Sequence, residues 1–125
     1  MKNVMIVDDS LIMRRQLKNI FEHQGFTIVG EAVNGMDAVA KYTELKPDLV
    51  TMDITMPVMD GISAMQEICH QDPNACVIMI SALGQEIKII EAINKGAKHY
   101  IVKPLQERDV LDILDTVFGK QREVS

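Results

Sequence analysis

With 125 residues, of which 47% are apolar, the chain suits one domain around a single well-buried core, and a second domain does not fit. Its formal net charge of -5 leaves no whole-domain electrostatic footprint for DNA or RNA, so nucleic acid is excluded as a partner of the chain by itself. The start offers one lysine and the short apolar stretch Val4 to Val7 before the first acids, too little for a signal segment or a membrane span. A cytoplasmic protein is expected.

Met5-Ile6-Val7 is a short apolar strand that runs into Asp8-Asp9-Ser10. From Ser10 to Gln24, Met13, Leu17, Ile20 and Phe21 recur at helical spacing, with Arg14, Arg15, Lys18 and Glu22 on the other side, and Gly25 ends the helix. Thr27 to Ala32 is β-branched and apolar enough for a strand, and Asn34-Gly35 is read as a turn. The next helix carries Ala38, Val39, Tyr42 and Leu45 on one face until Pro47 stops it. Leu49 to Met52 is a second buried strand, ending in Asp53, and Pro57 with Asp60-Gly61 takes the chain out of regular structure just beyond.

A third helix places Ile62, Met65, Ile68 and Cys69 on one side and ends near Asp72-Pro73. Cys76 to Ile80 is the most apolar run and reads as a strand buried on both faces that delivers the Ser81 hydroxyl. Gln85 to Lys95 is helical and stops at Gly96, His99 to Val102 is a short strand ending in Lys103-Pro104, and Glu107 to Phe118 forms the last helix. That helix turns Val110, Leu111, Leu114, Val117 and Phe118 inward.

Strict alternation of five strands and five helices predicts a doubly wound α/β fold, a parallel sheet with helices on both faces. Asp8, Asp9, Asp53, Ser81 and Lys103 then all come to the carboxyl edge of that sheet, where open α/β folds bind ligands. Two unit charges about 4 Å apart repel by roughly 4 kcal/mol at an effective dielectric of about 20, so three converging acids need positive charge beside them. An oxygen-only cluster suits a hard divalent cation such as Mg2+, and no His or Cys stands near enough in the pattern for zinc. A carboxylate nucleophile, a metal, Lys103 and the Ser81 hydroxyl are the parts that phosphoryl transfer requires. A merely salt-bridged strand edge would leave the surplus acids unexplained.

On these residues the chain resembles the response-regulator receiver domains of two-component signalling, in particular the single-domain CheY chemotaxis type, over essentially its whole length. The resemblance implies a flavodoxin-like sheet of strand order 2-1-3-4-5, with the receiver domain over residues 1–119 and a short tail over 120–125. It implies that Asp53 is the phosphoacceptor, and that Asp8, Asp9, Asp53 and the backbone carbonyl of Thr55 arrange Mg2+. Ser81 and Lys103 would contact the phosphoryl group, Ser81 and Tyr100 would be the switch residues, and the Lys103-Pro104 bond would be cis. A histidine kinase is the implied donor. The output would be protein binding, for instance to a flagellar motor switch component, through the fourth helix, fifth strand and fifth helix of a monomer, with Ile89 either an exposed contact or a core residue.

Other functions fit less well. A haloacid-dehalogenase-like phosphatase needs a second Asp two residues after its nucleophile as general acid, and Thr55 stands there. A flavodoxin would have to cradle phosphate where Asp8-Asp9 would repel it, and a pseudo-receiver would not keep the acid cluster. A receiver excised from a longer response regulator is a further alternative. In enterobacterial CheY proteins, which lose phosphate fast, the places of Thr55 and Leu83 are held by Asn and Glu. A short hydroxyl and a branched hydrocarbon cannot orient a hydrolytic water in the same way, so slow self-dephosphorylation and an auxiliary phosphatase are expected. His23, His70 and His99 match no ligand pattern and are read as surface residues. Cys69 and Cys76 lack metal or redox spacing, and the nine methionines are core filler.

Overall fold

The computed structural model describes residues 2–119. Five strands, β1 (Asn3–Val7), β2 (Thr27–Ala32), β3 (Leu49–Asp53), β4 (Val77–Ser81) and β5 (His99–Val102), form one parallel sheet in the order β2-β1-β3-β4-β5. Helices α1 (Leu11–His23), α2 (Gly35–Leu45), α3 (Gly61–Gln71), α4 (Glu86–Asn94) and α5 (Glu107–Phe118) make the crossovers. The tail expected over 120–125 lies outside the described residues.

Strand alternation sorts the core into two halves. Val4, Ile6, Leu49, Ile78, Ile80 and Ile101 pack with Leu17 and Phe21 of α1 and Val110 and Leu114 of α5. Met5, Val7, Val50, Met52, Val77 and Met79 pack with Ala38 and Tyr42 of α2, Met65 and Ile68 of α3 and Ala92 of α4. The central strands β3 and β4 are buried along their whole length, which is why they read as unbroken apolar runs rather than alternating ones.

One expectation is corrected and one open choice is settled. Asn34-Gly35 is not a chain-reversing turn: Asn34 caps α2, accepting the Asp37 N–H at 2.8 Å, and Gly35 is the first helical residue. A Cβ at Gly35 would press on the Met59 carbonyl, so glycine serves close approach there rather than turn geometry. Ile89 packs against the core, whereas Ile87 and Ile90 are 83% and 61% exposed. The inward stripe of α4 runs through Ile89 and the buried Ala92, three residues apart, and helical spacing turns Ile87 and Ile90 away from it.

Candidate functional site

At the end of β1, Asp8 is fully buried. Its Oδ1 accepts the Ser10 N–H at 2.8 Å, and Ser10 in turn caps α1 by accepting from Met13 N at 3.3 Å. The Asp8 carbonyl accepts from Arg14 Nη1 at 2.8 Å, while Arg14 Nε donates to Glu31 at 3.0 Å. Glu31 also takes Lys18 Nζ at 3.2 Å, and its carbonyl accepts from Lys41. Burial opposes ionisation of Glu31, but the bonds from Lys18 and Arg14 prevail and hold its carboxyl below the usual range. This network ties the acid-bearing end of β1 to α1, β2 and α2. It was invisible in the sequence, where Arg14 and Lys18 read simply as the polar face of a helix.

The register puts Asp8, Asp53 and Lys103 on one side of the sheet. Val7 pairs with Met52, Asp53 with Ile80, and Ser81 with Val102, so the ends of β1, β3, β4 and β5 are nearly level. Asp53 is 6% exposed. Lys103 Nζ lies 3.5 Å from Asp53 Oδ1 and 3.7 Å from Asp8 Oδ2, close enough for attraction and long for a strong hydrogen bond. Asp9 is exposed at the mouth, and one carboxylate oxygen from each of Asp8, Asp9 and Asp53 lies within 4.8 Å of the others.

One lysine does not balance three acids. Burial, then the neighbouring Asp8 charge, push the Asp53 carboxyl from the ordinary 3.8 up to about 6, against the pull of Lys103. Burial also raises Asp8, opposed by the Ser10 N–H and by Lys103. Asp8 Oδ2 is buried without a hydrogen-bond partner. A buried carboxylate oxygen held only by a long ion pair to Lys103, on an acid clustered with two further carboxylates, belongs to a donor set that fits a hard, oxygen-seeking dication.

The approach of α3 to this edge depends on Gly61. Its N–H donates to the Ile54 carbonyl at 2.7 Å, and a Cβ there would collide with the carbonyl of Asp53. Asp60 caps the helix, accepting from Ser63 N at 2.9 Å. Within the β3–α3 loop, Val58 sits at φ +69 while Met59 N donates to Pro57 O at 2.8 Å, a tight turn that a β-branched residue rarely adopts.

Ser81 and Tyr100 belong to the other side of the sheet. Ser81 shares the orientation of Met79, and Met79 pairs with Tyr100, so both point toward the half of the core that α4 covers. Ser81 is fully buried and its Oγ has no hydrogen-bond partner, hence none to Asp53 or Lys103. Tyr100 is 38% exposed, stacked obliquely 5.5 Å from the His99 ring. Thr55 lies two residues beyond Asp53, and Leu83 two beyond Ser81. Leu83 is 79% exposed, and the Thr55 hydroxyl accepts from Gln85 Nε2 at 2.9 Å. Nothing in the sequence marks Gln85 beyond its place in a helical stretch. The Lys103-Pro104 peptide bond is cis.

Of the histidines, His23 is exposed beside Glu107, His70 is exposed, and His99 is half-buried, its Nδ1 accepting the Tyr100 N–H at 2.8 Å. Cys69 and Cys76 are free and half-buried; burial pushes the Cys76 thiol up to about 11, so it stays protonated. Among the described residues no helix is long and apolar enough to cross a membrane.

Residues 4–115 match the family model of the response regulator receiver domain. The chain belongs to the response regulator receiver domain family. It is 55% identical over 116 residues to the chemotaxis protein CheY of Thermotoga maritima, covering 93% of this chain and 97% of that one. It is 53% identical over 112 residues to the CheY of Bacillus subtilis, covering 90% and 93%. Among solved structures, a chain in the CheX-CheY-BeF3-Mg+2 complex from Borrelia burgdorferi is 49% identical with a TM-score of 0.91, covering 95% of this chain and 90% of that chain. The chain is thus a CheY-like receiver domain of a two-component chemotaxis system, and these relatives do not support a haloacid-dehalogenase-like phosphatase.

Proposed function

We propose that this receiver accepts a phosphoryl group from a histidine kinase on Asp53 and passes the signal on by binding another protein. The observation that carries the reading is the convergence of buried Asp53 with Asp8, Asp9 and Lys103 at the carboxyl edge of the sheet. Asp8, Asp9, Asp53 and the Thr55 carbonyl would hold Mg2+. When bound, the ion supplies positive charge that offsets the three acids and the incoming phosphoryl oxygens.

Asp53 Oδ attacks phosphorus as its bond to the donor imidazole breaks, and Lys103, already within ion-pair reach, balances the charge on a phosphoryl oxygen. The Ser81 hydroxyl, buried without a partner, turns to donate to another phosphoryl oxygen, and Tyr100 on the same side of the sheet follows the vacated space. Exposed Ile87, Ile90 and Tyr100 form part of the α4–β5–α5 surface proposed to meet the output protein, such as a flagellar motor switch component. Thr55 and Leu83 leave the hydrolytic water poorly oriented, which supports a long-lived acyl phosphate and an auxiliary phosphatase. The domain acts in the cytoplasm as a monomer and catalyses only its own phosphoryl transfer and loss.

Incubation with acetyl phosphate and Mg2+ should add one phosphoryl group by intact mass, labile to hydroxylamine. Chelator or Asp53→Asn should abolish it. Undiminished incorporation in Asp53→Asn would overturn the assignment.

A further inference from the structure

The Gln85 carboxamide bridges two loops of the site. Its Oε1 accepts the Ala82 N–H at 2.7 Å and its Nε2 donates to Thr55 Oγ1 at 2.9 Å. A backbone N–H can only donate, so the amide oxygen must face Ala82, leaving the NH2 group for the Thr55 hydroxyl. Gln85 occupies the N-cap position of α4, yet makes no side-chain bond to the helix, whereas Ser10, Asn34 and Asp60 each cap their own helices. The side chain is committed across the loops instead.

The donor it occupies is aimed at the reacting edge. Ile80 O is taken by Ile54 N on the β3 side and Ser81 O by Lys103 N on the β5 side. Successive residues of a parallel strand alternate in this way, so the Ala82 N–H turns back toward β3, where Asp53 ends. It stands next to Ser81, whose buried hydroxyl has no partner. The intervening loop has open space around it: Leu83 is 79% exposed and a Cβ at Gly84, at φ +88, would meet nothing within 4 Å.

Resting on the acyl phosphate proposed at Asp53, we infer that Gln85 is a positioning residue whose carboxamide latches the β4–α4 loop to the β3–α3 loop in the unmodified domain and is displaced from the Ala82 amide by a phosphoryl oxygen. A charged phosphoryl oxygen is the stronger acceptor, so the exchange favours the modified state while costing it the bridge. Release of Gln85 frees the start of α4 in the same event that engages Ser81. Phosphorylation at Asp53 and movement of α4 are thereby coupled through one side chain that touches both loops.

Beryllofluoride with saturating Mg2+ serves as the phosphoryl probe, read by amide NMR alongside hydrogen exchange at Ala82 in the unmodified protein. In Gln85→Ala the Ala82 amide should exchange about ten-fold faster and the half-saturating beryllofluoride concentration should fall about two- to ten-fold, the range of one net hydrogen bond. Affinity for Mg2+ alone should not change. Thr55→Val should shift both readouts the same way, and the double variant should exceed Gln85→Ala by little, since the two changes break one bridge. A residue that merely supports the fold would weaken binding, so reduced or unchanged beryllofluoride affinity in Gln85→Ala overturns the latch. Failure of the Asp53 reading shows separately, as wild-type protein that does not respond to beryllofluoride or an Asp53→Asn variant that still does; either result removes the latch as well.

Discussion

Helices α1 and α4 both start at the edge of the sheet that carries the acids, and they are held very differently. Helix α1 is capped by Ser10, buries Leu17 and Phe21 completely and is clamped by Arg14 to the Asp8 carbonyl and to Glu31. Helix α4 has no side-chain cap of its own, buries only Ala92 and leaves Ile87 and Ile90 in solvent. The difference matches two demands of a switch. Acids that repel one another must be held in place whatever their charge state, while α4, as part of the proposed output surface, would have to move at small cost.

The comparison breaks first on core packing. Phe21→Ala should cost about 4 kcal/mol of unfolding free energy, and Ile90→Ala about 0.5 kcal/mol or less. Urea denaturation measures both; similar losses would mean that α4 is anchored as firmly as α1.

Next comes the electrostatic cost of the acid edge. The folded state holds the Asp53 proton more tightly than the unfolded chain does, so that stability is full below the ordinary 3.8 and is lost as pH rises through about 6. Without metal, Asp53→Asn should therefore gain on wild type across that window, by on the order of 2 to 3 kcal/mol at neutral pH. Melting curves in chelator at acid and neutral pH test it. A constant difference at all pH values would remove the repulsion argument, and added Mg2+ should shrink the gain.

The smallest expected effect is on the lifetime of the proposed acyl phosphate. Thr55→Asn combined with Leu83→Glu should speed loss of the acyl phosphate by about ten- to a hundred-fold, roughly 1.4 to 2.7 kcal/mol of barrier. Decay of the phosphorylated mass after donor removal is the measurement. An unchanged rate in the folded, fully phosphorylated double variant would mean that loop motion, not water orientation, governs the lifetime.

Much of the acid side could be read from the chain alone. Short apolar runs ending in Asp8-Asp9, Asp53, Ser81 and Lys103 are local patterns, and alternation of strands with helices brings such ends to one edge under the handedness of the crossovers. What each end then faces was not local. The Arg14–Glu31 clamp joins residues seventeen apart through strand pairing, and the bridge from Gln85 to Thr55 spans thirty. No periodicity marks either one.

Asn34-Gly35 and Ile89 show the same limit at short range. An Asn-Gly pair is compatible with both a turn and a capped helix start, and packing against Met59 decides between them. An isoleucine-rich stretch such as Ile87, Ile89 and Ile90 has apolar residues on every side, so its inner face depends on which of them the sheet can cover. The sequence by itself determined the order of elements, the parallel sheet and the residue types at its carboxyl edge, because those follow from spacing and handedness. Only tertiary structure decided which carboxylates are buried, that Ser81 and Tyr100 share the side of α4, and that Gln85 spans the two loops, because burial and long-range hydrogen bonds exist only once the strands are in register.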